Sequence, residues 1–325
     1  MADSPPTAPS ALKSYARTSA LAVALGSGVS HWLAHRHPVR RILMLHGVGG
    51  STMPPGDFHR MLAWLKQRYA IVPLDLMVRE ILDGVPAPAG AGRSQLAITF
   101  DDGLCNQYRI ARPILEQLEI PATIFVCPGL VDARQWMWNH EARARLKRLS
   151  NEGLMECAQT LNSPAHHLEG FIAWMKTLSL PQRQHAQDVL RDCTPRFVPI
   201  PAEHEAYDMM SWDEVRACDH GCLTIGSHTL THPILPTLTE DEIQHELQDS
   251  RERLETELGR RVDLFCYPNG STDERVRKVA RSIYRAAVTT EEGMVSAEVD
   301  PMAIPRIPVT SHLPLLAWRM HRPWA

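Results

Sequence analysis

The stretch Leu96-Ala97-Ile98-Thr99-Phe100-Asp101-Asp102-Gly103 runs a strand-forming segment straight into two carboxylates and a glycine. A short continuous apolar run reads as a strand buried on both faces, the mark of a parallel sheet covered by helices. In parallel α/β folds, active sites gather at the C-terminal ends of such strands. Two adjacent buried carboxylates raise each other's pKa unless a cation neutralises one of them. A metal ion does that, and it leaves the second carboxylate free to act as a base.

The flanking sequence repeats the same logic. Upstream, R-I-L-M-L-H at 41–46 is a second buried strand, ended by Gly47, Gly49 and Gly50. Helical spacing follows over 58–69 and 74–82, and G-V-P-A-P-A-G-A-G-R at 84–93 is loop by composition. Downstream, 105–118 reads as a helix, and A-T-I-F-V-C at 122–127 is a strand stopped by Pro128-Gly129. This alternation predicts an α/β fold built on a parallel sheet. From 131 to 208 no apolar strand is visible, and the segment reads as a helical insertion. The rhythm then resumes. A helix over 212–218 precedes a strand over 222–226 that leads into Ser227-His228-Thr229. An amphipathic helix over 239–258 carries Thr239 as cap with Glu242 three residues on. Further strands are read at 262–267, 284–289 and 303–309, the last broken by prolines, with a helix over 273–282.

Composition bounds the function. With 44% hydrophobic and 22% charged residues the 325-residue chain is an ordinary globular protein. A formal charge of −3 supplies no basic field, so no nucleic-acid partner is expected. The seven cysteines are odd in number and scattered, which argues for reduced thiols in a cytoplasmic protein. Cys218, His220 and Cys222 lack the fourth ligand that structural zinc needs. Residues 18–34 are mildly apolar and precede the basic run 35–41, so 1–40 is read as a tail with a helix that is either packed or frayed, or else a peripheral contact with the inner membrane face, the first reading being favoured about two to one. The domain expectation is a catalytic unit over 41–310, interrupted at 131–208, with a C-terminal tail at 311–325.

His228 and His232 lie four residues apart, a spacing that on a helical turn puts both imidazoles on one face. With one Asp from the 101–102 pair they make a two-His, one-carboxylate set with open positions, suited to zinc and other first-row divalent ions.

Three segments carry a family resemblance. T-F-D-D-G at 99–103, S-H-T-L-T-H-P at 227–233 and F-C-Y-P-N-G at 265–270 resemble, in that order, the motifs of the polysaccharide deacetylase family (carbohydrate esterase family 4, NodB homology domain). The resemblance implies a distorted (β/α) barrel with fewer than eight strands. It implies Asp101 as catalytic base. Asp102, His228 and His232 would be ligands of a divalent metal, Zn2+ foremost, with Co2+ or another first-row ion as alternatives. A backbone N–H near Asn269 would stabilise the oxyanion. The implied reaction is removal of an acyl group from an N-acetylated sugar, in cell-surface polysaccharide or glycolipid biosynthesis. The competing readings are a non-catalytic carbohydrate-binding protein and a deacylase of a non-sugar amide or ester. Three positions depart from the pattern. Cys266 stands where an Arg orients the base, and Asn269 stands where a Tyr is usual. The late Leu-x-His motif that supplies the general acid has no clear match, which leaves His46 and His312 as candidates. Tyr267, Arg306 and Trp138 are the candidate substrate contacts.

Overall fold

The computed structural model describes Val23 and residues 39–88, 94–296 and 298–321. The strands form because their residues have no polar face to show to water. Every residue of β1 (Arg41–Leu45), β3 (Gln95–Phe100) and β4 (Ala122–Val126) is buried. Helices cover one side of each strand and barrel neighbours the other. With β5 (Leu223–Ser227), β6 (Leu264–Cys266), β7 (Ala286–Glu292) and β8 (Ile304–Pro308) they close a seven-stranded parallel barrel. The ring closes where β1 pairs with β3 on one side, Arg41 opposite Leu96 through Leu45 opposite Phe100, and with β8 on the other. The expected distorted barrel with fewer than eight strands is therefore present. An additional two-residue strand, β2 (Ala70–Ile71), pairs with the first residues of β3 outside the ring. Two residues are too few to show a period, so the sequence gives no sign of it.

The barrel is tightly packed between β4 and β5. A Cβ on Gly226 would stand 2.6 Å from the Phe125 ring, inside any real contact distance. Gly226→Ala should therefore lower the unfolding free energy by about 1–3 kcal/mol through overpacking. A urea melt checks this, and an unchanged midpoint would contradict the packing described.

Of the seven helices between β4 and β5, the first six make up the excursion from the barrel, Pro128–Ala133, Trp138–Leu146, Asn151–Thr160, Leu168–Met175, Leu180–Cys193 and Pro201–Tyr207, and Trp212–Cys218 leads back into β5. They have a core of their own, in which Leu146, Cys157, Phe171, Met175, Ala186 and Leu190 pack together. The insertion is fastened to the C-terminal end of the barrel at several points. The Cys105 N–H donates to the Asp208 carbonyl at 2.7 Å, and the Met210 N–H to that of Gly103 at 2.9 Å. The Trp138 indole N–H donates to the His232 carbonyl at 3.2 Å. The Lys176 ammonium donates to Asn269 Oδ1 at 2.7 Å.

One reading of the chain ends changes. The segment over 311–325 is more than a tail. Leu313–Arg319 is a helix whose Leu316 and Ala317, with Met320 just after it, are buried in the main core. The Arg41 guanidinium donates to the Met320 carbonyl at 2.8 Å and locks the end of this helix to the start of β1. The membrane-surface helix read within 1–40 lies outside the described residues. Arg40, from the basic run, is buried in an ion pair with Glu80 at 3.0 Å. Among the described residues no helix is long and apolar enough to cross a membrane. All seven cysteines are unpaired.

Candidate active site

Three strand ends converge at the C-terminal mouth of the barrel. The Asp101 N–H still donates to the Leu45 carbonyl at 2.9 Å, so this residue extends β3, whereas Asp102 turns away at φ 84° and Gly103 at φ 78°. Left-handed geometry in an aspartate costs free energy and is found where surrounding structure enforces it. The turn aims the Asp102 carboxylate across the mouth at the end of β5. There Nε2 of His228 lies 3.5 Å from Asp102 Oδ1, and Nε2 of His232 lies 3.7 Å from it.

The two histidines do not share a helical turn, contrary to the geometry read from their spacing. His228–His232 is an irregular loop with left-handed residues at Thr229 (φ 67°) and His232 (φ 60°). These fold the imidazoles to a ring separation of 4.9 Å. Glu246, on the helix Glu240–Leu258, holds the loop by accepting from the N–H groups of Leu230 and Thr231 at 2.9 Å and from the Thr231 hydroxyl. Nδ1 of His228 donates to the Cys266 carbonyl at 2.7 Å, which turns its Nε2 toward Asp102. One ligand atom from each of Asp102, His228 and His232 falls within 4.8 Å of the others. Tetrahedral bonds of about 2.0–2.1 Å place ligand atoms roughly 3.3 Å apart, so the residues present fit a first-row divalent ion. A second cluster, Asp101 with His228 and Cys266, has similar spacing. In that cluster both Asp101 oxygens are already committed elsewhere.

Their partner is Arg306. Nη1 donates to Asp101 Oδ1 and Nη2 to Oδ2, both at 2.7 Å. The same guanidinium donates to Thr99 Oγ1 at 2.9 Å, to the Thr289 carbonyl at 2.8 Å and to Cys266 Sγ at 3.1 Å. The sequence reading offered Arg306 as a candidate substrate contact. It is instead 0% exposed, and the bidentate pair fixes the Asp101 carboxylate in one plane. The inward position of Arg306 on β8 supplies the charge that Cys266, on β6, lacks. Burial would raise the Asp101 carboxyl, but Arg306 outweighs it and holds the group below the usual carboxylate range. For Asp102, burial is likewise outweighed, by the hydrogen bond to His228 and the neighbouring imidazoles. Burial, with His228 beside it, takes the His232 ring down to about 3, the neutral form a metal requires.

The other candidates separate clearly. Tyr267 is fully buried in the helical layer, its ring against Phe265 at 4.9 Å, because strand alternation turns Cys266 inward and its neighbour outward. It is a core residue and no substrate contact. Trp138 is buried too, under the Arg183 guanidinium, and its contribution is the bond to His232. His312 is exposed and caps the helix Leu313–Arg319 by accepting from the Leu315 N–H at 3.3 Å. His46 stays at the site. Its carbonyl, like that of Asp101, accepts from the Gln107 side-chain amide, and the residue lines a cavity of about 380 Å³ with Met53, Thr310 and Arg319. Asn269 sits in a left-handed turn (φ 54°) after β6. Lys176 holds its Oδ1, and its Nδ2 is buried without a partner.

Sequence reasoning missed Gln107, Glu246 and Lys176. Gln107 opens a π-helical turn, Gln107–Ala111, within what the pattern reads as one regular helix. Such turns often mark functional sites, yet periodicity does not reveal them.

Comparison with known proteins agrees with this geometry. The sequence model described as Polysaccharide deacetylase matches residues 89–287. The chain belongs to the polysaccharide deacetylase family. It is 22% identical over 288 residues to YxkH of Bacillus subtilis (strain 168), a protein whose name carries the same label. That match spans 86% of this chain and 75% of YxkH. Among solved structures, the deacetylase PplD of Streptococcus pyogenes, in complex with acetate, superposes with a TM-score of 0.59 at 18% identity, covering 88% of this chain and 100% of PplD. IcaB from Ammonifex degensii gives 0.57 at 19%, covering 87% and 98%. At such identities these structures establish the shared barrel. The family and the clustered ligands together support a deacetylase-type hydrolytic site.

Proposed function

We propose that this protein removes an acyl group, acetate foremost, from an N-acylated amino sugar with a divalent metal held by Asp102, His228 and His232. The observation that carries the reading is the single mouth where those three side chains converge beside an Arg-clamped Asp101. A bound divalent cation, Zn2+ first among the first-row ions, supplies Lewis-acid polarisation of the acyl carbonyl and lowers the pKa of water. Asp101 accepts the proton of the attacking water. Arg306 keeps its carboxylate ionised and correctly oriented for that role. The backbone N–H of Asn269, in the turn after β6, is the donor we assign to the developing oxyanion. His46, an exposed imidazole just after β1, hands a proton to the departing amine. Acetate, present in the PplD structure, is the acid that de-N-acetylation releases. The substrate is placed in cell-surface polysaccharide or glycolipid synthesis on the strength of the family alone.

The test is an acyl-release screen over N-acetylated nucleotide sugars, lipid-linked sugars and oligomers. Acetate should appear with at least one class, vanish on chelation and return with added zinc or cobalt. No release from any class, by folded and metal-loaded protein, would turn the reading toward a carbohydrate-binding protein.

A further inference from the structure

Beside the mouth lies a cavity that the proposed chemistry does not use. The ends of β3, β1 and β8 stand in a row there. The Asp101 N–H donates to the Leu45 carbonyl, and the Val309 N–H to that of Met44 at 3.0 Å. His46, next after β1, shares the Gln107 amide with Asp101. The cavity of about 380 Å³ that His46 lines therefore begins one strand over from the base. Its volume falls in the range of small-molecule sites, about 300–1,000 Å³. Gly47, Thr52 and Met53 of the loop after β1 form one part of its wall, and Arg319 of the helix Leu313–Arg319 another. That loop is already fixed. Asn106 Oδ1 accepts from the Val48 N–H at 3.3 Å, and the Gly49 N–H donates to the Met53 carbonyl at 2.9 Å.

The charge of this cavity is one-sided. Arg319 lines it and no Asp or Glu does. Nη1 of Arg319 donates to the Pro308 carbonyl at 3.0 Å, and among the described residues the guanidinium meets no carboxylate. Arg319 is only half-buried, and none of its nitrogens is closed off without a partner, so its remaining donors stay within reach of a ligand. A guanidinium presents its donors as a planar fork that matches carboxylate and phosphate oxygens. Arg306 spends that fork on Asp101, whereas one bond to a carbonyl leaves most of it unused in Arg319. Thr52, Thr310 and Ser311 add hydroxyl donors to the lining, and Met44, Met53 and Val309 add apolar surface.

We propose that this cavity is a subsite for an anionic oxygen group, phosphate or carboxylate, carried by the amino sugar whose acyl group is removed. Arg319 is its counter-charge, and the hydroxyls of Thr52, Thr310 and Ser311 complete its hydrogen bonds. The inference rests on the deacylase reading above and narrows it from amino sugars in general to charged ones. A purely structural Arg319, holding the end of β8 through the Pro308 carbonyl, makes no distinction between charged and neutral substrates.

The experiment measures acyl release by the full, metal-loaded chain from three sugars of similar size. They are N-acetylglucosamine 1-phosphate, N-acetylmuramic acid and the neutral methyl glycoside of N-acetylglucosamine. The wild type should favour a charged sugar in kcat/KM, and which of the two it favours separates phosphate from carboxylate. Arg319→Gln should lose about 10- to 100-fold in kcat/KM on that sugar, mainly through KM, and stay within twofold on the neutral glycoside. Arg319→Lys, which keeps the charge without the fork, should fall between the two. Equal losses on charged and neutral sugars would assign Arg319 to the fold alone and overturn the subsite. So would a wild type that favours the neutral glycoside, or an Arg319→Gln that keeps its kcat/KM on the charged sugar. If the wild type releases acid from none of the three, the wider screen above decides the deacylase reading. Calorimetric titration of the two charged sugars into wild type and Arg319→Gln then decides the subsite separately. Binding weakened about 10-fold by the substitution supports it. Equal affinity, or no binding to the wild type, overturns it.

Discussion

Asp101→Asn should retain bound metal and lower kcat for acyl release by about 10²- to 10⁴-fold, the range expected when a positioned general base is removed. The substitution preserves shape and leaves Asp102, His228 and His232 untouched, so metal content separates loss of the base from collapse of the site. It also leaves the Arg306 guanidinium, 0% exposed, facing a neutral amide. Breaking one side of a buried pair costs about 3–5 kcal/mol, so activity must be read well below the variant's own melting temperature. Retained metal with wild-type turnover would remove Asp101 from the mechanism. Lost metal would show that the carboxylate serves the ion and not the water.

The second large effect belongs to Arg306→Met. Methionine fills part of the volume but leaves the Asp101 carboxylate, 2% exposed, with no counter-charge from β8. Stability at neutral pH should fall by about 3–5 kcal/mol. The pH dependence should also change sign. In the wild type, Arg306 holds the folded-state pKa of Asp101 below its unfolded value. The stabilisation is therefore complete above the unfolded carboxylate range, and it is lost as pH falls through the folded pKa. In the variant, burial acts unopposed and raises the folded pKa. The protonated form then favours folding, so the penalty is greatest at neutral pH and shrinks toward the ordinary carboxylate pKa of about 4. Urea midpoints at pH 7.5 and 4.5 check both parts. A loss under 1 kcal/mol, or an equal loss at both pH values, would contradict the clamp.

The barrel was legible because its strands are short apolar runs ended by polar clusters. Asp101-Asp102-Gly103, His228 and Asn269 each follow a strand in the chain and lie at one end of the barrel in space. What pattern could not show is how distant side chains meet. Pro305-Arg306-Ile307-Pro308 reads as part of a strand broken by prolines. Period-two alternation on a closed strand turns Arg306 inward, and only closure of the ring brings it onto Asp101, 205 residues away. The four-residue spacing of His228 and His232 suggested a helix, whereas left-handed backbone at Thr229 and His232 achieves the same convergence in a loop. The insertion was readable as helical but not as part of the mouth. The bonds from Trp138 to His232 and from Lys176 to Asn269 span 94 and 93 residues and leave no local signal. The helix over 313–319 was hidden by its short length and by Pro314, which is tolerated in a first turn.

The most direct measurement is zinc affinity by competition with a chromophoric chelator, on folded wild type and on His232→Ala. The account predicts close to one tight ion per chain in the wild type. It predicts at least about 100-fold weaker binding in the variant, beyond what loss of an outer hydrogen-bond partner produces. Stoichiometric zinc at unchanged affinity in folded His232→Ala would place the ion elsewhere, and the hydrolytic site described here with it.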